Sequence, residues 1–144
     1  MVYLITGATG NVGPLVVESL IARGERPRIF ARTPEKTRSR YGDQVDVFVG
    51  DLADAATLKP ALTGADAFLL VNSGPEVAAR DESAARVAIA EGVKHLVKLS
   101  SCDARQQNIG TGVWHAQGES AIRASGIPFT FVQPSGFMEI VDYH

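Results

Sequence analysis

The sequence predicts an α/β protein, a doubly wound parallel sheet with strand order 3-2-1-4-5-6, on three observations. Short apolar, strand-like runs alternate along the whole chain with segments of helical period, joined by short connections. Glycines that stop helices recur at the matching place in successive units, at Gly24, Gly64, Gly92 and Gly126. The first apolar run, carried by Val2, Leu4 and Ile5, lacks polar alternation, as a central parallel strand covered on both faces requires. Right-handed crossovers between parallel strands then give the order.

Taken in turn, the first strand ends at Thr6. Val12, Leu15, Val16, Leu20 and Ile21 recur at helical spacing, so the first helix spans roughly 12–23, closed by Arg23-Gly24. Arg28–Ala31 is the second strand, and Pro34 with its polar neighbours opens a turn. Val45–Val49 is the third strand, and Asp54 offers an N-cap to a short helix that Pro60 bends and Gly64 stops. Ala67–Val71 is the fourth strand, and an Ala-rich helix from about Glu76 to Glu91 follows it. Leu96–Leu99 is the fifth strand, Trp114–Ala124 a helix stopped by Gly126, and Phe129–Val132 the sixth strand.

Composition bounds the function. A chain of 144 residues, 45% hydrophobic and 21% charged, reads as one globular domain. A chain of this size buries about 68–70% of its unfolded surface, enough for a core that needs no staple. The lone Cys102 makes no intramolecular disulfide, and neither a leader peptide nor a long apolar span is evident, so a cytoplasmic location without membrane attachment is expected. A net charge of −2 offers no basic face to nucleic acid, although Arg23, Arg26, Arg28, Arg32, Lys36, Arg38 and Arg40 make one region locally basic.

Ligands of open α/β sheets bind at the carboxyl ends of the strands, beside the switch point between the first and fourth. After strand one stands Thr6-Gly7-Ala8-Thr9-Gly10-Asn11-Val12-Gly13, which reads as a nucleotide-phosphate cradle. Gly7 permits the turn, Gly10 lets backbone N–H groups approach a pyrophosphate, and Gly13 lets the helix lie close to the strand. The anion sits on the helix N-terminus. No Lys-Ser/Thr follows Gly13, which excludes a triphosphate-gripping P-loop. The other strand ends contribute Arg32 and Thr33, with Lys36 at longer range, then Asp51 and Leu52, Asn72, Ser73 and Gly74, Ser100, and Gln133 with Pro134. Arg32 stands where a 2′-hydroxyl-binding carboxylate is usual, which favours NADP(H) over NAD(H) and disfavours a methyltransferase-like domain.

The set T-G-A-T-G-N-V-G, Ala31-Arg-Thr-Pro-Glu35, Gly50-Asp-Leu52, G-V-K-H-L-V-K-L-S-S and Ser125-Gly-Ile-Pro-Phe-Thr with Gln-Pro and Phe137-Met-Glu resembles the NmrA-like family of atypical short-chain dehydrogenases/reductases. The resemblance covers essentially the whole chain and implies a Rossmann-like, NAD(P)-binding fold. It leaves two functions open. One is an NADPH-dependent oxidoreductase passing hydride to a quinone-like or enone acceptor; the alternative is a non-catalytic NADP(H)-sensing regulatory or binding module.

The Tyr-x-x-x-Lys pair of the wider superfamily is missing, because none of Tyr3, Tyr41 and Tyr143 has a lysine four residues on. His115 and Glu119 occupy the corresponding place, one helical turn apart. They read either as a proton-donating imidazolium held by a carboxylate or, the preferred reading, as an exposed pair that stabilises its helix. Ser100 reads either as a hydroxyl beside the nicotinamide or as a serine that ends a strand. Cys102 has no activating base nearby, His95, His115 and His144 lack metal-ligand spacing, and Trp114 belongs to the core or a pocket wall, so no metal is expected. Relatives of this type usually continue into a smaller substrate-covering segment after Phe-Met-Glu, which this chain does not show. Phe137, Met138, Ile140 and Val141 are apolar and are candidates for a surface that meets another copy or a protein partner.

Overall fold

The computed structural model describes residues 1–106 and 110–136. A six-stranded sheet in the order β3-β2-β1-β4-β5-β6 forms its middle layer, with every pairing parallel. The strands are β1 Tyr3–Thr6, β2 Arg28–Ala31, β3 Asp46–Val49, β4 Ala67–Val71, β5 His95–Leu99 and β6 Phe129–Val132. The helices are α1 Gly13–Ala22, α2 Pro34–Tyr41, α3 Leu58–Leu62, α4 Val77–Ala90 and α5 Gly110–Ser125. Phe137, Met138, Ile140, Val141 and His144 lie outside the described residues.

The strand alternation sorts side chains into two cores. Leu4, Phe30, Phe68, Leu70 and Leu96 face α3, α4 and α5, whose Leu58, Leu62, Ala84, Ala85, Ala88 and Ile122 are buried against them. Ile5 and Ile29 face the other way and pack with Val17 of α1 and Tyr41 of α2. Fully burying a side chain such as Leu4 or Phe68 contributes about 1.5–3 kcal/mol, so these rows dominate the stabilisation of the sheet. On the second face the β4 and β5 side chains Leu69, Val71, Val97 and Leu99 are only half-buried.

The main departure from expectation is α2. The Pro34 segment is a helix and not a turn, with Thr33 as its N-cap and Pro34 in its first turn. Thr-Pro-Glu is a helix-start pattern, because proline's missing N–H is unneeded at that position. The helix escapes periodicity because only Thr37 and Tyr41, four residues apart, are buried. Asp54 occupies the N-cap position of the Ala55–Thr57 turn, but its side chain caps nothing. Its backbone carbonyl instead accepts from the Thr57 hydroxyl at 2.6 Å. The helix expected from Trp114 begins at Gly110.

Candidate functional site

Strands β1 and β4 part at their carboxyl ends, and the residue at the fork is Thr6. Its Oγ1 accepts from the Val71 N–H at 2.7 Å, standing in for a backbone carbonyl where the ladder ends. Below the fork the sheet is continuous; above it a cleft of about 440 Å³ opens. The wall comprises Thr6–Gly10 after β1, Phe30–Thr33 and Thr37 around β2 and α2, Gly50–Leu52 after β3, Val71–Ser73 after β4, and Arg80 of α4.

The glycine turn is shaped for a ligand. Gly7 has φ +71°, and a Cβ there would stand 2.8 Å from the Val71 Cβ, so neither backbone nor space admits a side chain. The Gly10 N–H closes the turn onto the Gly7 carbonyl at 3.0 Å. A Cβ on Gly13 would overlap the same carbonyl, so this glycine brings α1 against the turn's own backbone. Gly10 differs. A Cβ there meets only Gly7 O, at 3.4 Å, so the protein leaves the space beside it open where it lines the cleft. Val12, the N-cap of α1, provides no side-chain cap, which leaves the helix's first N–H groups for an anion.

The cleft's charged groups are asymmetric. Arg32 and Arg80 both line it, and neither guanidinium forms an ion pair or side-chain hydrogen bond among the described residues. Asp51 is the carboxylate in the wall, and its Oδ1 already accepts from the Ala53 N–H at 2.9 Å. Thr37 is fully buried behind the cleft wall, and its Oγ1 has no partner among the described residues. A buried hydroxyl without a hydrogen bond is costly.

Of the residues expected at the site, Thr6, Gly7, Thr9, Gly10, Arg32, Thr33, Asp51, Leu52, Asn72 and Ser73 are brought together in this wall. Asn11, Val12, Gly13, Lys36, Gly74, Ser100, Gln133, Pro134 and His115 are not in it. Thr37 and Arg80 were not anticipated. Recognising Thr-Pro-Glu as a helix start places Thr37 one turn past Thr33, on the cleft side; Arg80 is a cation in an otherwise Ala-rich helix, a signal without direction.

Ser100 and His115 lie in a second polar group, buried between β5, α4 and α5. Ser100 Oγ donates to Glu119 Oε1 at 2.6 Å, and Gln133 Nε2 donates to the same oxygen at 2.7 Å. Gln133 Oε1 accepts from Arg105 Nε at 2.8 Å, so both ends of that amide are engaged. The exposed His115–Glu119 pair expected from the spacing is not found: the two residues are 7% and 5% exposed, and the carboxylate is held by Ser100 and Gln133. Burial pushes the imidazole pKa down and the Lys98 ammonium adds to this, against the opposing pull of Asp81 and Glu119. A neutral imidazole whose Nδ1 has no partner among the described residues results, the opposite of the imidazolium donor that the spacing allowed.

Among the described residues no cluster of His, Cys, Asp and Glu suits a metal ion, and no helix is long and apolar enough to cross a membrane.

Comparison with known proteins agrees with this geometry. The chain is 43% identical over 137 residues to (4-alkanoyl-5-oxo-2,5-dihydrofuran-3-yl)methyl phosphate reductase of Streptomyces griseus, a match covering 94% of this chain and 48% of the relative. It is 31% identical over 139 residues to quinone oxidoreductase 2 of Escherichia coli, covering 94% of this chain and 49% of the relative. The NADP(H) complex of the Citrobacter triphenylmethane reductase superposes with a TM-score of 0.86 at 26% identity, over 98% of this chain and 52% of that one. The chain thus spans about half the length of the curated relatives it matches. A family model described as NAD(P)H-binding matches residues 7–140. With its six parallel strands, its glycine turn and its cleft at the β1–β4 fork, the chain belongs to this NAD(P)H-binding family.

Proposed function

We propose that this chain is the cofactor-binding part of an NADPH-dependent oxidoreductase that reduces a quinone-like or enone acceptor. The observation that carries the cofactor preference is the β2–α2 wall of the cleft. There Arg32 forms no ion pair or side-chain hydrogen bond among the described residues, and Thr33 stands beside it. A ribose 2′-phosphate would take a bidentate contact from the Arg32 guanidinium and a hydrogen bond from the Thr33 hydroxyl, whereas a free 2′-hydroxyl would leave that cation without an anion. Arg80 adds a second cation to the same cleft. The reductases named above, all similar to this chain, support the choice of reaction class.

When bound, a reduced nicotinamide supplies the hydride. The chain's own work is then to hold and orient. The glycine turn and the α1 N-terminus would seat the pyrophosphate, and Asn72 and Ser73 at the end of β4 bound the cleft on its other side. His115 is neutral and buried, and the Ser100 hydrogen points to Glu119, so neither is disposed to protonate an acceptor.

The test is a steady-state assay of the protein with NADPH and a panel of quinones and enones, followed by loss of the reduced-nicotinamide absorbance. Turnover that saturates with NADPH is the expected result. Tight NADPH binding without turnover on any acceptor would overturn the enzymatic reading in favour of a sensing module.

A further inference from the structure

The polar wall of the cleft is backed by a fully buried ion pair. Lys98 Nζ of β5 lies 2.6 Å from Asp81 Oδ2 of α4, and both side chains are 0% exposed. Taking two charges out of water is expensive, and apolar side chains of similar volume often serve stability as well or better. Packing alone therefore gives no reason for the pair.

The carboxylate's other oxygen supplies one. Asp81 Oδ1 accepts from Asn72 Nδ2 at 3.1 Å, and Asn72 lines the cleft just past β4. A primary amide carries donors on one side and an acceptor on the other, while a carboxylate accepts only. The NH₂ of Asn72 is therefore drawn to Asp81, and its Oδ1 is the atom turned away. The Lys98 ammonium occupies Oδ2 as an ion pair, without hydrogen-bond alignment, and leaves Oδ1 to Asn72. The approach of α5 completes the enclosure: a Cβ on Gly118 would overlap Asp81 Oδ2 and stand 2.7 Å from a Val77 methyl, so the helix can pack here only as glycine.

We propose that Asp81, held by Lys98, is a positioning residue that fixes the Asn72 amide so that a carbonyl oxygen, and not an NH₂, faces the bound dinucleotide. The ligand group recognised is then a hydrogen-bond donor, such as a ribose hydroxyl or an amide N–H. This rests on the dinucleotide reading of the cleft.

Asp81→Asn is the sharpest test because it keeps the shape and reverses the logic. Lys98 would claim the oxygen of the new amide, whose NH₂ would then meet Asn72 and force that residue to accept. The Asn72 NH₂ would turn to the cleft. In ¹⁵N side-chain spectra of the ligand-free protein, the Asn72 NH₂ pair should be slow to exchange with water in the wild type and fast in Asp81→Asn.

In calorimetric titrations with NADPH, Asp81→Asn and Asn72→Ala should each weaken binding by about tenfold, the value of one hydrogen bond. Combining them should cost no more than either alone. The Asp81→Leu/Lys98→Met variant, which removes the charges together, should fold, lose the NH₂ protection and make Asn72→Ala silent. That variant decides the matter where Asp81→Asn does not fold.

An Asn72 NH₂ equally protected in these variants, or an Asn72→Ala penalty unchanged in their background, would overturn the proposal. A wild-type protein with a protected Asn72 NH₂ that binds no dinucleotide would instead overturn the cofactor reading.

Discussion

Ser100 and Glu119, at the end of β5 and within α5, are joined by a buried 2.6 Å hydrogen bond in which the serine donates. With Gln133 donating to the same oxygen, the carboxylate ties together the carboxyl ends of β5 and β6. Ser100 thus presents only lone pairs to anything else. Ser100→Ala should lower kcat/KM less than about tenfold, because loss of a true general acid or base costs 10²-fold or more. It should cost about 1–3 kcal/mol in urea unfolding, because Glu119 loses a buried donor. A hundredfold fall in turnover with unchanged stability would mean that the hydroxyl takes part in proton transfer.

The glycines of the first turn should separate by function. Gly10→Val puts a side chain where the wall is open, so it should keep the wild-type melting temperature and lose dinucleotide binding. Gly13→Ala places a Cβ on the Gly7 carbonyl and should destabilise the fold itself by about 1–3 kcal/mol. Thermal melts with and without NADPH check both. Ligand-induced stabilisation of Gly10→Val equal to that of the wild type would remove the cradle assignment.

Acid should unfold the protein in part through His115. Its folded pKa lies below the unfolded value of about 6.5, so the unfolded chain binds more protons as pH falls through that range. The stability this residue confers is present above about pH 6.5 and is lost as pH falls toward the folded value. His115→Gln, which has no charge to gain beside Lys98, should flatten the stability profile below about pH 6.5 and change turnover less than about tenfold. Urea midpoints across a pH series test it; an unchanged acid slope would show that other groups govern the loss.

What was legible in the sequence follows from what is local. Strand runs such as Ala67–Val71, the glycine stops and the turn from Gly7 to Gly13 depend on neighbours in the chain, and with the crossover rule they yield the strand order found. Helix α2 was hidden because two buried residues make no visible period. Lys98 and Asp81 could not be paired in advance. A lysine in a short apolar strand and an aspartate in a polar helix each look solvated until α4 is laid across β5. Gly118, inside a helical segment, was the available hint that something sits close. His115 and Glu119 had the right spacing for a pair, but burial drew the carboxylate to Ser100 and Gln133, which lie on other elements.

The central claim is that the β2–α2 wall reads a 2′-phosphate, and paired titrations of the wild type and Arg32→Asp with NADPH and NADH test it most directly. A charge-assisted contact contributes about 1.5–3 kcal/mol, or roughly 10- to 150-fold in affinity. The wild type should therefore prefer NADPH by that margin, and less so as salt rises, since the cleft is open to solvent. Arg32→Asp should lose the NADPH advantage while NADH binding holds or improves. Equal affinity of the wild type for the two cofactors, or an equal loss of both in Arg32→Asp, would contradict the account.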